Sequence, residues 1–162
     1  MRYFRQLIIL FALLMLSGCE DTAYHGSSVP FAAVRISIDT ELGAFSLFQP
    51  TSWTDYVIVD REGFHYHGNI VLPLGMNMHG YGGVVVYVGM NGYDAWDLAC
   101  PYCASRGAVS PCTIDGIYAV CPVCGEQYNL ANSTGAPQKG LIREALKKYK
   151  CTYLAPKITV TN

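Results

Sequence analysis

The sequence predicts an all-β fold, an antiparallel barrel or sandwich built from short strands. Short runs rich in Val, Ile, Tyr and Phe recur along the chain. Gly, Pro and Asn punctuate them, as expected where an all-β domain turns. A tight-turn pair, Asn91-Gly92, closely succeeds the strongest of these runs.

The elements come in order. VRISID at 34–39 alternates apolar and polar residues, the pattern of a half-buried strand. Phe45-Ser46-Leu47-Phe48 is expected to continue or pair with it. Residues 55–59 (DYVIV), the turn Asp60-Arg61-Glu62-Gly63 and residues 64–67 read as a hairpin. Residues 69–74 form another short apolar run. VVVYV at 84–88 is rich in β-branched residues, which fit a pleated surface, and its hairpin partner is expected over 93–98. Tyr149, Cys151 and Tyr153 share one strand face, with Lys148, Lys150 and Thr152 on the other. Residues 141–150 also suit a short helix, although no cap marks its start. Residues 158–160 form a last strand after Pro156.

Composition bounds the function. The chain has 162 residues, 51% of them apolar and 14% charged, which suits one domain with a self-supporting core. Such low charge excludes a solvated disordered chain. The formal net charge of -1 excludes a strongly basic nucleic-acid binder, so no nucleic-acid partner is expected.

Arg2 and Arg5 precede the unbroken apolar run LIILFALLML at 7–16. That run is too short to span a bilayer, which takes about 20 apolar residues. A basic start, an apolar middle and small residues make a signal peptide. Leu16-Ser17-Gly18-Cys19 resembles the lipobox of bacterial lipoproteins, which implies a leader over 1–18 and acylation at Cys19. A lipid anchor in the bacterial cell envelope, facing outside the cytoplasm, is the expectation. The two arginines are not adjacent, so the leader reads as one for unfolded export. Polar, small residues then suggest a tether over 19–33 before a domain over 34–162. Loss of Arg2 and Arg5 leaves nine basic residues against twelve acidic, a net of -3, with most of the basic charge at 139–157. A solvated basic strand or turn is the simplest reading of that end.

The cysteines carry the chemistry. Cys100-Pro101-Tyr102-Cys103 and Cys121-Pro122-Val123-Cys124 give C-x2-C-x17-C-x2-C, the spacing of a four-thiolate metal site. Two residues between cysteines let a tight turn aim both sulfurs at one point, and two such turns make a tetrahedron suited to zinc or iron. Gly125 lets the second turn adopt positive φ and leaves backbone N–H groups to face the sulfurs. Cys151 is expected as a buried apolar thiol, and Cys112 as either free or disulfide-bonded. Neither is expected to bind metal.

Beyond the second pair the chain carries Gly125-Glu126-Gln127-Tyr128-Asn129-Leu130, Ser133-Thr134-Gly135-Ala136-Pro137, a strand ending Tyr149-Lys150-Cys151, and Lys157-Ile158-Thr159-Val160. This order resembles the Rieske ferredoxin family over 95–160. The resemblance implies an antiparallel β sandwich carrying a two-loop metal subdomain, here at about 98–137, and a [2Fe-2S] cluster. Cys100 and Cys121 match the family's cysteines. Cys124 stands where its second histidine would be, and Tyr102, followed by Cys103, where its first would be. Four thiolates would then hold the cluster, lowering its potential toward about -400 mV. Three states of the site stay open: a two-iron cluster, a single zinc or iron, and disulfides with no metal.

The remaining candidates are weaker. His65 and His67 lie two apart on an expected strand and, with His79, make a candidate metal set, although surface histidines are the simpler reading. The many tyrosines, with Trp53 and Trp96, read as core and rim. Gly80-Tyr81-Gly82-Gly83 precedes a strand rather than a helix, so it is not a phosphate loop. The expected function is a membrane-anchored Rieske-like lipoprotein that binds iron–sulfur and transfers single electrons to an unknown redox or protein partner. The alternative is a non-redox binding or structural lipoprotein braced by zinc or disulfides. Enzyme activity is left open, with an electron carrier or binding protein favoured over a stand-alone enzyme.

Overall fold

The computed structural model describes residues 27–162. The 1–18 leader, Cys19, His25 and the first part of the 19–33 tether lie outside the described residues.

The strands are β1 (Val34–Asp39), β2 (Tyr56–Val59), β3 (Gly63–Tyr66), β4 (Asn69–Pro73), β5 (Met78–His79), β6 (Val84–Gly89), β7 (Gly92–Asp97), β8 (Thr113–Asp115), β9 (Tyr118–Val120), β10 (Gln127–Asn129), β11 (Ala136–Pro137), β12 (Lys148–Leu154) and β13 (Lys157–Thr161). Every pairing among the described residues is antiparallel. Nine strands run in the order β4-β3-β2-β6-β7-β12-β13-β1-β5, and four more in the order β11-β10-β9-β8. The all-β fold class read from the sequence is the fold observed.

Alternation places the main core. Val34, Ile36 and Ile38 of β1 point inward, with Arg35 and Ser37 exposed. Ile158 and Val160 of β13 join them and face Val57, Val59, Val84, Val86 and Val88. The strand β12 makes the fold a sandwich. Its start pairs with β7 through Lys148 and Tyr149, and its remainder pairs with β13, so one strand serves both layers.

The unbroken apolar run of β6 has a physical reason. All six residues are buried. Val84, Val86 and Val88 face the main core, while Val85 and Tyr87 face a second cluster with Trp96, Leu98, Cys100, Cys103, Cys121, Tyr128 and Leu130. A strand covered on both faces loses its alternation. The four-stranded sheet and the two cysteine loops therefore form a third layer on the outer face of β6 and β7.

Two expected elements differ. Residues 45–48 form no strand: Gly43–Phe45 is one turn of 3-10 helix, and Phe45 and Phe48 are buried as plugs against Phe64, Tyr66 and Tyr93. Residues 141–147 form no helix. Leu146 N–H instead bonds to Gly135 carbonyl (2.9 Å), and Leu146 packs into the second cluster, so an inward anchor outweighs weak local propensity. The β6–β7 hairpin forms as expected, with Met90 and Asn91 as the loop and Gly92 at φ +97°.

Asp97 ties this architecture to the cysteine loops. It is fully buried. Its carboxylate accepts Tyr149 Oη (2.6 Å) and the N–H groups of Tyr81 (2.7 Å), Gly82 (2.9 Å) and Ala99 (2.8 Å). Gly82 is required by close approach, because a Cβ there would lie 2.4 Å from Ala99 N. Asp97→Ala leaves four donors unpaired, those of Ala99 and Tyr149 buried, and is expected to lower unfolding stability by about 3 kcal/mol, with Tyr149→Phe costing roughly 1 kcal/mol. Urea denaturation checks both; an Asp97→Ala variant as stable as the parent contradicts the assignment.

Candidate metal centre

The first cysteine loop is a helical turn. Pro101–Ala104 (α1) succeeds β7, with Cys100 as its cap and Pro101 at its first position, where a missing N–H is tolerated. Ala104 N–H bonds to Cys100 carbonyl (2.9 Å), closing the turn so that Cys100 and Cys103 face one point. The second loop is the turn of the β9–β10 hairpin. Gly125 N–H bonds to Cys121 carbonyl (2.9 Å), and Gly125 sits at φ +72°. Gly125 spends its own N–H on that carbonyl.

The four sulfurs of Cys100, Cys103, Cys121 and Cys124 all lie within 4.8 Å of one another. Cys100 Sγ is 3.6 Å from Cys124 Sγ, and Cys103 Sγ is 3.7 Å from Cys121 Sγ. Four thiolates about one ion, at about 2.3 Å each, stand about 3.8 Å apart. On two irons, sulfurs of opposed pairs would stand roughly 5–6 Å apart. Cys100, Cys103 and Cys121 are buried, and Cys124 is the half-buried edge. All six cysteines among the described residues are free.

Two hydroxyls address the sulfurs, and the sequence assigns neither of them that role. Ser110 Oγ lies 3.2 Å from Cys121 Sγ, and Tyr128 Oη 3.3 Å from Cys100 Sγ. Tyr128 belongs to the motif at 125–130, where it reads as a core aromatic. Ser110 has no signal in the sequence, since it arrives on the segment between the loops, where its carbonyl also accepts Cys100 N–H (2.9 Å). Burial raises the Cys121 thiol, but the Ser110 hydroxyl and the N–H groups of Cys124 and Val123 outweigh it and hold this thiol below its ordinary range. Burial and neighbouring sulfurs push Cys103 and Cys124 up. One thiolate is thus favoured before any metal arrives, and two thiols stay protonated.

The donor set suits a soft or borderline metal, and Cys100, Cys103, Cys121 and Cys124 would hold it. Cys112 is buried beside them but outside the set of four, and burial raises its thiol. Cys151 lies on the inner face of β12 against the main core, its thiol pushed up to about 12 by burial. Glu126 is fully buried two residues after Cys124. Its Oε1 accepts Lys139 N–H (3.2 Å), and its Oε2 has no partner among the described residues.

The histidines do not share one strand face. His67 sits just past β3 at φ +48° and stacks on Tyr66, while His65 Nε2 contacts Asp60 Oδ1 at 2.9 Å. A bend after Tyr66 ends the strand before His67 can align. Among the described residues, the four cysteines are the only group placed to hold a metal ion.

No protein-family model matches the chain, and no curated protein matches it. Among solved structures it is similar to a chain in the complex of reduced oxygenase and oxidized ferredoxin in carbazole 1,9a-dioxygenase, at 14% identity and TM-score 0.44, over 79% of this chain and 93% of that one. It is also similar to the Sphingomonas yanoikuyae B1 ferredoxin, at 18% identity and TM-score 0.40, over 70% of this chain and 93% of that one. A third is the ferredoxin of carbazole 1,9a-dioxygenase from Nocardioides aromaticivorans IC177, at 16% identity and TM-score 0.38, over 52% and 79%. These likenesses are distant.

Metal binding requires thiolates, so loading the metal-free protein at pH 7 is expected to release at least two protons, from Cys103 and Cys124. Affinity should then rise with pH, by roughly 100-fold per unit for two protons. Loading titrated in weakly buffered indicator dye checks this; a pH-independent affinity contradicts it.

Proposed function

We propose that the chain is a lipid-anchored electron carrier whose iron–sulfur centre is held by Cys100, Cys103, Cys121 and Cys124. The carrying observation is the convergence of four sulfurs in a mostly buried pocket, with hydroxyl donors aimed at two of them. Thiolate-held iron supplies reversible one-electron chemistry. Each part of the surroundings serves that use. The Ser110 and Tyr128 hydroxyls stabilise negative charge on sulfur, which favours the reduced state. Cys124 leaves one edge of the site near the surface, where a partner can approach. The motif order resembling the Rieske family supports iron, and the lipobox resemblance at Cys19 supports anchoring in a bacterial envelope.

A [2Fe-2S] cluster and a single iron draw on the same four thiolates and differ in spacing. Two sulfur pairs, at 3.6 and 3.7 Å, stand at one-ion spacing, and a two-iron cluster needs opposed pairs to open by about 1–2 Å. That spacing also favours a second reading, a single zinc that braces the two loops without redox chemistry.

Iron, zinc and sulfide counts with a visible spectrum of anaerobically purified protein separate these readings. Iron with reversible bleaching on reduction is expected; stoichiometric zinc contradicts electron transfer. Cys124→Ser should lose the bands and most of the metal. Ser110→Ala should lower the reduction potential by on the order of 50 mV, because a typical hydrogen bond contributes about 1 kcal/mol and a one-electron couple shifts by about 59 mV per tenfold change. An unchanged potential would show that Ser110 does not tune the centre.

A further inference from the structure

Residues 27–31 are strapped to the body, which fixes where the chain leaves toward Cys19. Glu144 Oε1 accepts Ser27 Oγ (3.0 Å) and Ser28 N–H (2.6 Å), and its Oε2 accepts Ser28 Oγ (2.5 Å). Lys147 Nζ donates to Pro30 carbonyl (3.0 Å) and lies 5.6 Å over the Phe31 ring. Val29 between them is 1% exposed. The end of the segment expected as a free tether is therefore part of the folded body.

The strap and the segment that holds it both carry exposed apolar and cationic side chains. Phe31 is 78% exposed and Leu141 is 56% exposed. Lys139, Arg143, Lys147 and Lys148 stand in the same stretch. Its one carboxylate, Glu144, is taken up by the strap, and Lys148 pairs with Asp94 (2.7 Å). Eight residue steps separate Ser27 from Cys19, a reach under about 30 Å even fully extended.

We propose that Phe31 and Lys147 of the clamp form one face with the exposed Lys139, Leu141 and Arg143, and that this face lies on the anionic lipid surface that carries the Cys19 anchor. The inference rests on the lipid-anchor reading above and adds an orientation to it. A short tether that starts at this face holds it close to the headgroups. Apolar side chains entering the interface and cations pairing with lipid phosphates are the two forces that seat a protein surface on such a membrane. The metal loops are held near that face, since Lys139 N–H bonds to Glu126, two residues beyond Cys124.

The test uses the processed, acylated protein in phosphatidylcholine vesicles, with and without phosphatidylglycerol, read by hydrogen exchange. Amides of residues 139–147 should exchange several-fold more slowly on the anionic vesicles, with Val84–Gly89 unchanged as an internal reference. The double variant Lys139→Glu, Arg143→Glu should lose that slowing and keep its metal content. Intact mass first reports whether Cys19 is acylated. An unmodified Cys19 overturns the anchor and this proposal with it. An acylated Cys19 with equal exchange on both vesicles overturns the oriented face alone.

Discussion

Four thiols share a space in which four uncompensated negative charges cannot coexist. The sulfurs of Cys100, Cys103, Cys121 and Cys124 lie within 4.8 Å of one another, mostly shielded from water. Coulomb repulsion at such spacing is strong where the dielectric is low, so the group either stays largely protonated or takes up a cation. The opposed shifts within the set express this: Cys121 falls while Cys103 and Cys124 rise. A bound metal resolves the conflict, and both loops are shaped for it. The pocket is thus a constraint on folding as well as a candidate site, because a bound metal would stabilise the closed loops.

The rest of the architecture serves to bring the loops together. The doubly covered strands β6 and β7 form the floor, with Val85, Tyr87 and Trp96 beneath the sulfurs' layer. Asp97, at the end of β7, fixes the glycine loop, Tyr149 of β12 and the start of the first cysteine loop with one carboxylate. A buried carboxylate without a cationic partner is tolerable only because it accepts four hydrogen bonds. Elsewhere on the molecule, Glu144 and Lys147 secure the incoming chain. The two clamps use the same device, a side chain satisfying backbone groups from distant segments.

Much of this is legible in the residues. Alternation in VRISID and KITVT marks the inner faces of β1 and β13, and Asn91-Gly92 marks the central hairpin. The C-x2-C-x17-C-x2-C spacing marks the four sulfurs, which the fold brings together. The hidden features depend on contacts between distant segments. Ser110 lies 11 residues from Cys121 on an irregular connection, and no local pattern announces its hydroxyl as a sulfur partner. Asp97 reads locally as a strand-end acid, and its four donors come from three places in the chain. Phe45 and Phe48 look like strand residues, but a 3-10 turn places both rings in the core. The 141–147 segment obeys the demands of Leu146 and Glu144 rather than its helix propensity.

Whether four sulfurs from two loops surround a metal is tested most directly by X-ray absorption at the metal edge of the purified protein. A first shell of sulfur alone at about 2.3 Å, four per metal, is the predicted result. Nitrogen or oxygen in that shell, or protein free of bound metal when purified without oxygen, would contradict it.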